Sequence, residues 1–256
     1  MLMKWKLMIT TLPYVLVVIL TNLAIEYFFD FYGLIEFADI GLILTGGIFI
    51  MGFMLAGTMS DYKESEKMPA EIACILESLE ETIINSSKEK IKPHTKDLLK
   101  TLNQTSNKLY EWFYKRISNE EMFESLNNLS KIAQKLDESD LPPYAVRFLN
   151  ELNNLRRIMT RVHVISKTSF LQTGYALLEA LIFSIVVLLF VSKFKSLFAE
   201  YLVISAVSLI YFYLYRLIKD IDDPFEYTTE AEKGASEVEL FPLQDYLQRA
   251  KSRIQD

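Results

Sequence analysis

The residues able to do chemistry are few and far apart. The 256 residues contain one cysteine, Cys74, so neither an intrachain disulfide nor a cysteine-based zinc site can form. Cys74 lies in an apolar, helix-spaced stretch and is expected to be a small buried side chain on a helix, not a reactive thiol. The two histidines, His94 and His163, are distant in sequence and form no H-E-x-x-H pair. The phosphate loop G-x-x-x-x-G-K-[ST], the nucleophile elbow G-x-S-x-G and the dinucleotide fingerprint G-x-G-x-x-G are absent. No enzyme, cofactor or confident metal site is expected.

Carboxylates are the remaining candidates. Glu179 is the only charged residue in 168–192. A carboxylate held in hydrocarbon costs several kcal/mol, so it must face protein, water or the membrane interface. Two readings are open: a protonatable or cation-coordinating group inside a helix bundle, or an interfacial carboxylate paired with a nearby basic residue. Asp220, Asp222, Asp223 and Glu226 form a second acidic group. Its oxygen-rich composition suits a hard cation, but EF-hand spacing is missing, and a solvated turn is the simpler reading.

The elements around these residues are set by where the apolar residues are bunched. Residues 7–25 and 40–60 carry no charge, 168–192 carry only Glu179, and 196–215 carry only Glu200. A helix rises about 1.5 Å per residue and the hydrocarbon core is about 30 Å thick, so roughly 20 apolar residues are needed to cross. Four transmembrane helices are expected. The fourth is short in its uncharged core, Tyr201–Tyr215, and is kept because a lone crossing would leave the acidic tail outside. Lys4 and Lys6 would suit a signal peptide, but the run that ends in Leu23-Ala24-Ile25-Glu26 has no small-x-small cleavage site.

Basic residues in short loops mark the cytoplasmic side. Lys4 and Lys6 precede the first segment, and the first loop, Glu26–Asp39, has four acidic residues and no basic one. Arg156, Arg157, Arg161 and Lys167 precede the third segment, and Arg216 and Lys219 follow the fourth. The pattern predicts a multi-pass protein of the cell membrane with both termini in the cytoplasm. Lys193 and Lys195, between segments three and four, run against it. The arginines are expected to serve topology and lipid phosphates first, and to attract anions second. Tyr211, Tyr213 and Tyr215 read as an interfacial aromatic belt.

The expected organisation is all-α: transmembrane helices 1 and 2 in residues 1–57, a cytoplasmic helical domain in 58–167, transmembrane helices 3 and 4 in 168–215, and a cytoplasmic tail in 216–256. Residues 58–174 hold 17 basic and 17 acidic residues, which is no nucleic-acid footprint. Ile72, Ile75, Leu76, Leu79 and Ile83 recur at helical spacing. Ser118 with Glu121 reads as a capping box opening a helix through Leu136. Asp140 before Pro142 and Pro143 reads as the start of another helix, running from Tyr144 towards His163. The polar stretch Asn85–Asn107 is read as either helix or linker. Asp222-Asp223-Pro224 should end the fourth helix, because a residue before proline avoids helical backbone angles. Leu243–Ile254 can form a last amphipathic helix.

Two motifs resemble the bestrophin family of pentameric anion channels, in its prokaryotic bestrophin-like branch. One is Gly46-Gly47-Ile48-Phe49-Ile50-Met51-Gly52-Phe53, similar to the apolar run that lines the bestrophin neck. Thr45, Phe49 and Phe53 match its pore-lining positions. The other is Ile221-Asp222-Asp223-Pro224-Phe225, followed by Glu239-Leu240-Phe241-Pro242-Leu243. The order of parts also agrees. Asp61-Tyr62-Lys63 departs from the family's basic-aromatic-aromatic run, and Glu226 replaces the glycine after Pro-Phe.

The resemblance implies a homopentamer in a lipid bilayer, conducting inorganic anions such as chloride, with the second helix around the axis. Four-residue steps place Thr45, Phe49 and Phe53 on one helix face, and an apolar ring of such residues would gate by dewetting. The plainer reading is that both phenylalanines face lipid or a neighbouring helix. Gly41, Gly46, Gly47, Gly52 and Gly57 fit close helix packing in either case. The resemblance also implies a calcium site near the acidic group at 220–226, since animal bestrophins bind calcium at the equivalent place. The alternative function is a non-conducting, membrane-anchored helical scaffold or sensor.

Overall fold

A computed structural model of the chain describes residues 5–29, 31, 33–86, 95–168, 172–227 and 236–255. The chain divides into two compact units. The first comprises residues 1–62 and 169–223 and the second residues 63–168 and 224–256. The acidic tail expected as one piece is therefore divided: its start belongs to the last helix of the first unit, and the rest packs within the second.

The first unit holds α1 (Lys6–Phe29), most of α2 (Phe37–Ser65), α7 (Gln172–Phe190) and α8 (Leu197–Asp222). These four helices are long and apolar enough to cross a membrane. The second apolar segment lies within α2, whose charge-free stretch is 40–60. The fourth is longer than its uncharged core suggested: α8 has 26 residues, capped by Ser196, whose hydroxyl accepts from the Ala199 amide at 3.2 Å. It ends at Asp222, immediately before Asp223-Pro224.

α1 and α8 run antiparallel along each other, Asn22 meeting Glu200 near one end and Thr10 meeting Arg216 near the other. Val18, Leu44, Met51, Leu178, Ile185 and Tyr211 share one buried cluster drawn from all four helices. A short departure from all-α occurs here: β1 (Ile35–Glu36) pairs in parallel with β2 (Ser192–Lys193). Gly33 makes the approach possible. Its φ is 81°, and a Cβ would lie 2.5 Å from the Ser192 carbonyl oxygen. Only glycine tolerates both demands.

The second unit holds α3 (Met68–Ser86), α4 (Thr95–Phe113), α5 (Asn119–Glu138), α6 (Pro142–Lys167) and α9 (Phe241–Gln255). Ile72, Leu76, Leu79 and Ile83 are fully buried and Ile75 is half-buried, as a stripe at helical spacing requires. α3 packs on α6, α4 and α9, and α5 packs on α4 and α6. α5 starts where Ser118 predicts: its hydroxyl accepts from the Glu121 amide at 3.1 Å. The Glu121 carboxylate pairs with Lys108 at 2.9 Å. α6 starts two residues earlier than expected, with both prolines in its first turn. Asp140 is not its cap. Asp140 adopts a left-handed φ of 61°, and Leu141 precedes the helix without a side-chain cap.

Helices α3 and α4 enter the polar stretch Asn85–Asn107 from both sides, while residues 87–94, with His94, lie outside the described residues. Lys4 and Asp30 lie outside them as well. Cys74 is exposed on α3, not buried as expected. It sits two positions after buried Ile72 and two before buried Leu76, which turns it off the packed face.

Candidate functional site

Helix α2 has two unlike faces. On one, Ile40, Leu44, Gly47 and Met51 are buried at alternating four- and three-residue steps. Gly47 marks the closest approach: a Cβ there would meet Tyr211 Oη at 2.5 Å and Ile185 Cδ1 at 3.0 Å. The Tyr211 ring is 1% exposed and its hydroxyl donates to the Leu44 carbonyl at 2.5 Å. That bond satisfies the hydroxyl within an apolar setting and removes the room a larger residue at 47 would need.

On the other face, Leu42, Thr45, Gly46, Phe49, Gly52 and Phe53 are exposed. Phe49 is 68% and Phe53 72% exposed, with ring centroids 5.7 Å apart. The Thr45 hydroxyl donates to the Gly41 carbonyl at 2.9 Å, so its polar atom is already engaged with its own helix. A Cβ added at Gly41, Gly46 or Gly52 meets nothing within 4 Å. These four glycines therefore divide by role: Gly47 is required by packing within the chain, while Gly41, Gly46 and Gly52 leave the outward face flat.

Glu179 is exposed on α7, and its carboxylate accepts from the Tyr215 hydroxyl at 2.6 Å. Its bonded partner is thus a tyrosine of α8, not the basic residue anticipated. Tyr211 is buried, and its hydroxyl, like that of Tyr215, is turned onto a group within the unit. Asp220 and Asp222 occupy the last turn of α8, Asp223 caps it, and Glu226 is exposed beyond the turn. Among the described residues no three or more His, Cys, Asp or Glu side chains converge to hold a metal ion. The Pro-Phe motif has a packing role. Phe225 is buried within 5.9 Å of the Phe113 ring, the Pro224 carbonyl accepts from the Val238 amide at 3.0 Å, and the Tyr227 hydroxyl donates to the Val238 carbonyl at 2.7 Å.

Two of the three arginines before the third span, Arg156 and Arg161, bond within the protein. Arg161 makes a bidentate pair with Glu64 at 3.0 and 2.8 Å. Arg156 donates to Asn127 at 3.2 Å. The hydrogen-bonded side chain holds the Glu64 carboxyl below the usual carboxylate range.

One polar group escaped the sequence reading. Asn22 and Glu26 of α1 meet Glu200 and Tyr201 of α8. Glu26 was assigned to the first loop, yet α1 continues through Phe29. The signal available in the sequence is that Glu26 follows the charge-free run 7–25 and Glu200 precedes the charge-free run 201–215.

Solved structures share this fold. A point variant of a bacterial bestrophin homologue from Klebsiella pneumoniae superposes with a TM-score of 0.75 at 14% identity, covering 98% of this chain and 100% of that one. Another structure of a bacterial bestrophin homologue from Klebsiella pneumoniae gives 0.74 at 15% identity, covering 95% and 96%. A chain described as a membrane protein variant gives 0.72 at 15% identity, covering 98% and 97%. No protein-family model and no curated protein matches the sequence. The chain is thus bestrophin-like in fold along nearly its whole length.

Proposed function

We propose that the protein is a bestrophin-like membrane channel that conducts small inorganic anions, chloride among them. In this reading five copies form a closed ring in the cell membrane. The outward face of α2 lines the neck, with Thr45, Phe49 and Phe53 from each copy. Both termini and the second unit lie in the cytoplasm. The observation that carries the reading is the uncharged, exposed stripe on α2. In a bilayer a lone copy has no reason to concentrate flat glycines and two adjacent phenylalanines on one face, whereas a ring brings those faces together. An apolar ring excludes ions because a dehydrated charge finds no replacement ligands there. The positive edges of the phenyl rings favour an anion over a cation. The whole-chain likeness to bacterial bestrophin homologues supports the same arrangement.

The test is Phe49→Ala with Phe53→Ala in liposomes, beside a melt and a native mass measurement. Raised anion flux in an intact pentamer supports the neck. A monomer in lipid removes the ring and the pore together. No flux from wild type or variant, with oligomers intact, supports the scaffold or sensor reading. Topology is tested by labelling Tyr32→Cys and Ser130→Cys in a Cys74→Ser background. Labelling of position 130 from outside intact cells would reverse the assigned orientation.

A further inference from the structure

The last turns of α1 and the first turn of α8 meet at two carboxyl groups. Asn22 is 2% exposed. Its side-chain amide donates to Glu26 Oε1 at 2.9 Å and to Glu200 Oε1 at 3.0 Å. The Tyr201 hydroxyl donates to Glu26 Oε2 at 2.9 Å. The two carboxyl groups are thus held side by side on the one amide nitrogen of Asn22.

An asparagine amide has two hydrogens, and both are used here. An ionised carboxylate only accepts, so a contact between two carboxyl groups is repulsive until one of them carries a proton and donates it. A cation could relieve the repulsion instead. Among the described residues, however, neither Glu26 nor Glu200 is ion-paired with a lysine or arginine. The loop from Glu26 to Asp39 has no basic residue, and Lys193 and Lys195, which precede α8, are exposed. Tyr201 is the other titratable group facing the pair, and it is a donor in the arrangement seen.

We propose that Glu26 and Glu200 hold one proton between them, and that this shared proton closes the contact between α1 and α8, so that the contact opens as the proton is lost. Deprotonation releases one proton and leaves two carboxylates on a single amide. The pair then titrates as a unit, not as two independent residues. The inference does not depend on conduction; it holds equally for a channel or a scaffold.

Infrared spectra of the full-length protein in lipid vesicles, from about pH 5 to about pH 9, test it directly. The wild type should show the C=O stretch of a protonated carboxylic acid near neutral pH, fading as pH rises. One carboxylic-acid equivalent should be lost in Glu26→Gln and equally in Glu200→Gln, because the remaining carboxyl then ionises against the new amide donor. In melts of the same samples, the wild type should lose stability towards alkaline pH, and each glutamine variant should lose less than the wild type does. No protonated-carboxyl band in the wild type would overturn the proposal. So would a band that persists undiminished in both variants, or an alkaline loss of stability as large in both variants as in the wild type. If one variant does not fold, the other and the wild-type spectrum still decide.

Discussion

In the unit of α1, α2, α7 and α8, large apolar side chains are exposed and polar ones are enclosed. Leu42, Phe49, Phe53 and Phe183 are exposed there, whereas Thr11, Asn22 and Ser208 are buried. In the unit of α3–α6 and α9 large apolar side chains such as Leu76, Met122, Phe148 and Leu152 are inside, with buried polar groups such as Glu80 and Ser106 among them, and charged pairs such as Arg161–Glu64 and Lys108–Glu121 lie on the surface. The difference teaches which medium each unit answers to. Where water surrounds the chain, burial of apolar area drives packing. Where lipid surrounds it, apolar area gains nothing by hiding, and packing rests on close fit and on enclosed hydrogen bonds. Gly47 against Tyr211 and Asn22 between two carboxyls are those two devices.

The comparison breaks most sharply on core truncation. Leu76→Ala in the second unit should cost about 2–5 kcal/mol, from lost burial plus the cavity left behind. Phe183→Ala on α7 should stay within about 0.5 kcal/mol despite the larger side chain removed. Melts in the same lipid measure both, and equal losses would show that the first unit is held together by apolar burial as well.

Next is Gly47→Ala. Overpacking against the fixed Tyr211 ring should cost about 1–3 kcal/mol. Gly46→Ala, in open space one residue earlier, should be neutral or stabilising by up to about 1 kcal/mol in a single copy, because alanine favours helix. A large loss at Gly46 only in the assembled protein would sharpen the picture, since it would reveal a neighbour that a lone chain lacks.

Smaller is Ser118→Ala, which removes the cap of α5 and should cost about 1 kcal/mol by denaturant titration. Smallest is a pH effect at Glu80 on α3. Burial raises its carboxyl above the ordinary range, although Arg253 is 2.9 Å away and opposes the shift. A raised folded-state value means the contribution is present at low pH and is lost as pH rises through that value. The wild type should therefore lose a little stability above the usual glutamate range, and Glu80→Gln should flatten that slope. An unchanged slope would place the titration elsewhere.

Much of this was legible in the residues themselves. Charge-free runs located the four long apolar helices, helical spacing from Ile72 to Ile83 found the packed face of α3, and Ser118 marked the start of α5, because those signals are local. Three features were not legible. Cys74 is exposed although its neighbours are apolar, since a two-residue offset from the packed stripe turns it outward. Arg161 pairs with Glu64, and the partners are 97 positions apart. Glu26 and Glu200 meet across 174 positions through an asparagine that sequence alone marks only as a polar residue in an apolar run.

Composition and local order thus determined the element types, the apolar segments and which helix carries the glycines, because helix formation and hydropathy act over a few turns. Tertiary structure alone decided which glycine is crowded, which face of α2 is left open and which carboxyls share an amide. Those are distances between segments remote in the chain, and they follow from how the helices pack.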